Sequence, residues 1–219
     1  MAGIITAIRI QNKNPKRANL YLDGKFVLGL AVDVVQDFCL HRGQELSDAD
    51  LEALRQGEQK QRAMGDALRL LNYRLRSVAE VRKRLQERGY TPDQVEAVLS
   101  RLQAAGMLDD GAFARAWVEN RQLGSPRGRQ GLAAELRQKG VAPEVIAAVL
   151  DEAVEEESEA GQALELARGR AHALRGLDRP AFFRRLQSFL ARRGFSAEVV
   201  FQVARQVWEE VGATGRGED

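Results

Sequence analysis

The sequence predicts a mainly α protein: a tandem array of three three-helix repeats, elongated along the array and preceded by a small N-terminal β-meander. Three observations carry that prediction. A leucine–cation–glycine motif recurs at Leu85-Gln86-Glu87-Arg88-Gly89, Leu136-Arg137-Gln138-Lys139-Gly140 and Leu190-Ala191-Arg192-Arg193-Gly194, with its glycines 51 and 54 residues apart. Such a period marks one supersecondary unit copied and stacked. Aromatic residues are only 6% of the chain while aliphatics, Ala, Arg and Glu dominate, which favours helices over a sandwich. The first 45 residues differ in kind, with short apolar runs around an Asp23-Gly24 turn signal.

In the N-terminal module, residues 7–11 read as a strand and 12–17, with Asn14-Pro15, as a loop. Residues 19–22 and 25–28 flank Asp23-Gly24 as a type I′ hairpin. A short helix over 32–38 ends near Gly43, and Cys39 beside it is assigned to the core. Three strands are marginal alone, so the module packs on something. Ser47-Asp48-Ala49-Asp50 caps the next helix, which runs toward Leu75 with Gly57 and Gly65 as its candidate breaks.

The array follows. The boundaries read as 1–62 for the β-rich module with its linking helix, then repeats at 63–108, 109–156 and 157–213, and a tail at 214–219. Helices are expected at 63–75, 77–88 and 92–105, then 110–122, 127–139 and 143–155, then 157–174, 179–193 and 197–211. Ser77 with Glu80 forms a capping box, Asp109 or Asp110 caps the second repeat, and Asp178 precedes Pro180.

Each motif copy reads as helix, corner, helix. Leu85, Leu136 and Leu190 lie on buried stripes. Arg88, Lys139 and Arg193 meet the negative end of a helix dipole, and Gly89, Gly140 and Gly194 supply the left-handed corner. These nine motif residues are expected to serve folding rather than a partner. Gly131 departs from the larger residue a helix interior favours, which questions that helix's stiffness. Phe182, Phe183, Phe189 and Phe201 are assigned to the core rather than to base stacking.

Several chemistries are excluded. The single cysteine allows no internal disulfide, and two histidines supply no metal cluster of familiar spacing, so neither metal nor cofactor is expected. There is no Walker-type glycine loop and no nucleophile–histidine–carboxylate set. Asp109-Asp110 sits at a helix start, where capping outranks metal binding. No apolar run approaches a membrane span, so a cytoplasmic protein is expected, and a monomer is expected as well. Net charge is +2, yet 61–140 carries 15 cations against 9 acids and 141–219 carries 10 against 14. A basic middle suggests a polyanionic partner. The acid run 155–159 reads as a solvated helix boundary.

At Gly106-Met107-Leu108-Asp109-Asp110-Gly111-Ala112-Phe113-Ala114, with Arg121 and the stretch from Gly131 to Gly140, the chain resembles the RecX family of bacterial regulators of the RecA recombinase. Arg76-Ser77, Glu80-Val81, Leu85 and Gly89-Tyr90 fit that family's first repeat, and Asn19 to Gly24 looks like the N-terminal extension of its longer members. The third repeat is looser. The resemblance implies a non-catalytic, curved stack of three-helix repeats lying in the groove of the RecA–single-stranded DNA filament. There it mostly inhibits ATP hydrolysis, strand exchange and repressor cleavage, and so regulates DNA repair and the SOS response.

The candidate partner-binding residues are Lys83, Arg121, Arg127, Arg137 and Arg184, read as cations opposite the apolar stripes, with Arg127 and Arg137 projecting from one helix. The alternative reading is a stand-alone DNA-binding protein whose triplets act as helix-turn-helix units. An enzyme is the weakest class. A compact globule of this length would have a radius of gyration near ~17 Å. Small-angle scattering is expected to give a clearly larger value, and a value at or below it counts against the array.

Overall fold

The computed structural model describes residues 3–153 and 156–214, so the expected tail beyond 214 and Glu155 of the acid run lie outside the described residues. The chain divides into two units, Met1–Leu75 with Val81–Leu108 and Arg76–Glu80 with Asp109–Asp219.

The first unit begins with β1 (Gly3–Gln11), β2 (Asn14–Leu22) and β3 (Lys25–Ala31), followed by α1 (Val32–Asp37) and a two-residue β4 (Glu45–Leu46). The sheet is antiparallel, in the order β3-β2-β1-β4. Asp23 and Gly24 both take positive φ, as the hairpin reading required. Three expectations fail here. The loop over 12–17 shrinks to Asn12 and Lys13, because Pro15 sits near the open start of β2, beside a register shift, where no regular ladder bond is lost. The meander gains β4 on the free edge of β1, closed by Ile5 N–H donating to the Gln44 carbonyl at 2.8 Å. Cys39 is exposed at φ 49°, not core, because the chain has already left α1 and is turning.

One 26-residue helix, α2 (Asp48–Tyr73), runs without a break through Gly57 and Gly65. Ser47 and Asp50 close its capping box. Leu51 and Leu54 seal the sheet core of Ile5, Leu20, Leu22, Leu30 and Leu46. Gly57 passes against Phe38, whose ring would lie 3.0 Å from an added Cβ, while Gly65 faces open space. Tertiary burial along α2 outweighs the glycine cost of about 1 kcal/mol each. The helices α3 (Val78–Glu87) and α4 (Pro92–Ala104) follow, the latter with a Thr91–Gln94 capping box and Pro92 at its start.

The second unit holds the first turn of α3 and then α5 (Asp110–Gly124), α6 (Arg129–Gln138), α7 (Pro143–Ala153), α8 (Glu156–Ala171), α9 (Arg179–Arg192) and α10 (Ala197–Thr214), with a 3-10 turn at His172–Leu174. Leu132, Leu136, Phe113, Val118 and Leu150 form one core, and Phe182, Leu186, Leu190, Val203 and Val207 another. Phe182 is buried as expected, and Phe183 and Phe189 pack partly against the same core. Phe201 is 58% exposed, against expectation. The inward stripe of α10 is Val200, Val203, Ala204 and Val207, and Phe201 falls one residue, about 100°, off it. Arg127 precedes the N-cap Gly128, so it does not share α6 with Arg137.

Two of the three corners do more than turn. The Arg193 carbonyl accepts from Gly128 N–H at 3.1 Å, and the Gly194 carbonyl accepts from Gln130 and Gly131 N–H at 3.1 and 3.3 Å. Leftover acceptors at one helix end thus meet leftover donors at another helix start. A Cβ on Gly131 would overlap the Arg193 carbonyl oxygen, which explains its departure from the expected larger residue. The Gly140 corner uses the first turn of α3: Ser77 Oγ donates to the Lys139 carbonyl at 2.6 Å, and a Cβ on Gly140 would overlap that of Ala79. Gly89 meets nothing.

Two helical glycines should therefore respond oppositely to alanine. Gly131→Ala is expected to destabilise by about 1–3 kcal/mol through overpacking. Gly65→Ala is expected to stabilise by about 0.5–1 kcal/mol through propensity alone. Thermal denaturation of the two variants checks the sign of each.

Candidate functional site

Of the five candidate cations, three are exposed and make no ion pair among the described residues: Lys83 on α3, Arg137 on α6 and Arg184 on α9. Lys83 lies in the first unit and the others in the second. Arg121 and Arg127 are engaged internally. Arg121 Nε donates to Glu135 Oε2 at 2.7 Å, with its guanidinium carbon 4.9 Å from the Trp117 ring centroid. Arg127 Nη1 donates to the Arg192 carbonyl at 3.4 Å, and its buried Nε lies 3.4 Å from Glu135 Oε1 without a hydrogen bond. The five do not form one row of free charge.

Glu135 is the hub that sequence reading missed. It also accepts Trp117 Nε1–H at 2.8 Å, and Lys139 Nζ lies 4.9 Å from the Trp117 ring centroid. The available signal was two i, i+4 spacings, Trp117 with Arg121 as a cation beside a ring and Glu135 with Lys139 as opposite charges, on stretches joined by a short corner.

The corner cations carry specific contacts beyond dipole compensation. Lys139 pairs with Glu80 at 3.0 Å, and Arg193 Nη1 reaches Ser125 Oγ and the Pro126 carbonyl, both at 3.4 Å. Arg88 pairs with Asp66 at 2.6 Å, where Tyr90 Oη–H donates at 2.9 Å and Arg69 donates too. Burial pushes the Asp66 carboxyl up, but the hydrogen bonds from Arg88 and Tyr90, with the charges of Arg88 and Arg69, hold it below its ordinary value. Asp109 and Asp110 are both used structurally. Asp109 Oδ1 accepts from Gly111 and Ala112 N–H, and Asp110 Oδ1 accepts from Val78 N–H at 2.8 Å.

Arg137 and Arg184 border a grooved face of the second unit. Arg137, Gln130, Ala133 and Ile146 line a groove of about 730 Å³ between α6 and α7. Gln130 continues into a second groove of about 560 Å³, lined by Gln187, Ser188, Ala191 and the exposed Phe201. Arg184 stands three, four and seven residues before Gln187, Ser188 and Ala191, on their stripe of α9. This face offers charge, amide hydrogen bonding and one aromatic ring. It presents no arrangement of a nucleophile beside a base.

Family models match four segments: the regulatory protein RecX N-terminal domain at 3–47 and the first, second and third RecX three-helix domains at 63–102, 109–150 and 157–204. A regulatory protein RecX of Streptomyces coelicolor is 41% identical over 155 residues, covering 69% of this chain and 80% of the relative. The chain belongs to the RecX family. A regulatory protein RecX of Bacillus subtilis is 30% identical over 203 residues, covering 93% and 76% of the two chains. A crystal structure of a regulatory protein RecX, 28% identical, superposes with a TM-score of 0.82 over 93% of this chain and 98% of that one. RecX from Lactobacillus salivarius, at 18% identity and a TM-score of 0.64, shares the fold over 69% of this chain and 97% of that one. Among the described residues of this chain, no helix is long and apolar enough to cross a membrane.

The Asp66 cluster sets a pH dependence. A carboxyl held below its unfolded value of about 3.9 adds stability that is present above that pH and is lost as pH falls through the folded value. Asp66→Asn is expected to melt lower than the parent at pH 7. The two melting temperatures should converge below pH 4, as thermal melts across that range would show.

Proposed function

We propose that this chain is a non-enzymatic regulator that binds RecA and the RecA–single-stranded DNA filament in the cytoplasm. It mostly restrains ATPase, strand-exchange and co-protease activity, and thereby regulates DNA repair and the SOS response. One observation carries the reading: all four RecX domains are matched in order between residues 3 and 204. The geometry supports a binding role. Arg137 and Arg184 flank an open grooved face, Lys83 is a further free cation, and a filament with bound DNA presents phosphates and carboxylates to such charges. Arg121 and Arg127 are assigned to the Glu135 network that supports α6 beneath that face.

The alternative of a stand-alone duplex reader is weakened by the corners. Helix-turn-helix recognition places a helix N-terminus in the major groove. The first N–H groups of α6 are already bonded to the Arg193 and Gly194 carbonyls, and the start of α3 is held to the Lys139 carbonyl through Ser77.

The test is single-stranded-DNA-dependent ATP hydrolysis by RecA with increasing amounts of this protein. Hydrolysis is expected to fall, and unchanged hydrolysis with no filament binding overturns the reading. Exposed ion pairs contribute about 0–1 kcal/mol each. The combined Lys83→Ala, Arg137→Ala and Arg184→Ala variant is therefore expected to weaken filament binding about tenfold at low salt and to flatten its salt dependence. Wild-type affinity in that variant places the contact elsewhere.

A further inference from the structure

We propose that the outward face of the N-terminal sheet is a stacking platform for unpaired bases of single-stranded DNA. The choice of DNA rests on the function proposed above; the platform rests on the sheet itself.

Alternation along β2 sends Ala18, Leu20 and Leu22 into the core, so Asn19 and Tyr21 stand on the opposite face. The register places Ala7 and Phe26 beside Tyr21, and Arg9 and Gly29 beside Asn19. The Arg9 guanidinium carbon lies 5.2 Å from the Tyr21 ring centroid. The Phe26 ring meets Tyr21 edge to face, with centroids 5.9 Å apart and planes at 73°. Phe26 is nevertheless 58% exposed, so Tyr21, itself covered by Arg9, braces a ring whose own surface stays open. Asn19 accepts from Gln11 Nε2 at 2.7 Å, and the ends of Arg17, Gln11 and Asn19 lie over Gly29, 3.6 to 3.7 Å from where a Cβ would stand.

The charge fits the same occupant. Residues 1–31 contain Arg9, Lys13, Lys16, Arg17 and Lys25 against Asp23 alone. Arg17 is neutralised by Glu58 at 2.8 Å, but Arg9, Lys13, Lys16 and Lys25 are exposed and make no ion pair among the described residues. A second copy of this face would bring the same positive charge, whereas a polyanion relieves it. Duplex DNA satisfies cations but hides its bases. Only an unpaired strand offers a π-face to Phe26 and phosphates to Arg9 and the neighbouring lysines of the module together.

The experiment uses the full chain without RecA and a fluorescent oligo-dT of about 20 nucleotides, followed by anisotropy. Phe26→Ala and Phe26→Leu should each weaken binding about tenfold. The leucine variant keeps apolar area without a π-face and so separates stacking from hydrophobic contact. Arg9→Gln should weaken binding in the same direction. Photocrosslinking from 5-iodouracil positions should label the peptide holding Tyr21 or Phe26. Binding equal to the parent in both Phe26 variants overturns the platform, as do crosslinks confined to the helical repeats. Tighter binding of oligo-U than of oligo-dT overturns the assignment to DNA. Loss of a concentration-dependent dimer in Phe26→Ala gives the face to self-association instead. A chain that restrains RecA yet ignores the oligonucleotide overturns the platform alone.

Discussion

The contact on which the helical array depends is a corner set against the start of another helix. An α-helix ends with carbonyls that lack internal partners and begins with N–H groups in the same position. The Arg193 and Gly194 carbonyls answer the N–H groups of Gly128, Gln130 and Gly131, so two sets of orphan groups are satisfied at once. The helix dipoles favour the meeting, since a negative end faces a positive one. Such bonds require backbones to approach closely. That is why glycine stands on both sides, at Gly194 and at Gly128 and Gly131. At the start of α3 a hydroxyl replaces the backbone donors: Ser77 is fully buried, accepts from Glu80 N–H and donates to the Lys139 carbonyl. The corner glycine is thus constrained twice, by its positive φ and by what presses on it.

Basic charge and available charge are distributed differently in this chain. Arg88, Arg121, Arg127, Lys139 and Arg193 lie in or near the motifs that make the sequence look basic, yet each is held by a carboxylate, a carbonyl or a hydroxyl. Glu135 and Asp66 are the acceptors that collect most of them. Both are partly shielded from solvent, where ion pairs position side chains more firmly than on an open surface. Of the five cations the sequence singles out, Lys83, Arg137 and Arg184 stay exposed and make no ion pair among the described residues, on helix faces that the cores do not use.

The N-terminal module shows the converse. Over residues 1–60 cations and acids balance, eight of each, and the segment reads as neutral. The two signs are unevenly placed: Arg9, Lys13, Lys16, Arg17 and Lys25 lie on β1 to β3 or in the turn between them, while most acids lie on or beside α1 and α2. Glu58 draws Arg17, Arg62 and the Ala31 N–H to itself and so ties the sheet edge to α2. Arg9, Lys16 and Lys25 on the strands, and Lys13 in the turn between β1 and β2, make no ion pair among the described residues.

By itself the sequence determined what local chemistry decides. Caps at Ser47, Thr91, Asp109 and Asp178, prolines at helix starts, positive φ at Gly89, Gly140 and Gly194, and the Asp23-Gly24 hairpin each depend on residues within one turn of one another. The leucine stripes were legible for the same reason, since a 3.6-residue period is a local property. Tertiary structure alone decided the rest. Whether Gly57 and Gly65 interrupt α2, whether Leu46 pairs with Gly3, and whether Phe201 and Cys39 face the core depend on what packs alongside. Gly131 could not be understood without Arg193, 62 residues away in the chain. Nor could Arg121 and Arg127 be told from free cations without Glu135, because a charge's partner lies across space and leaves no periodicity in the sequence.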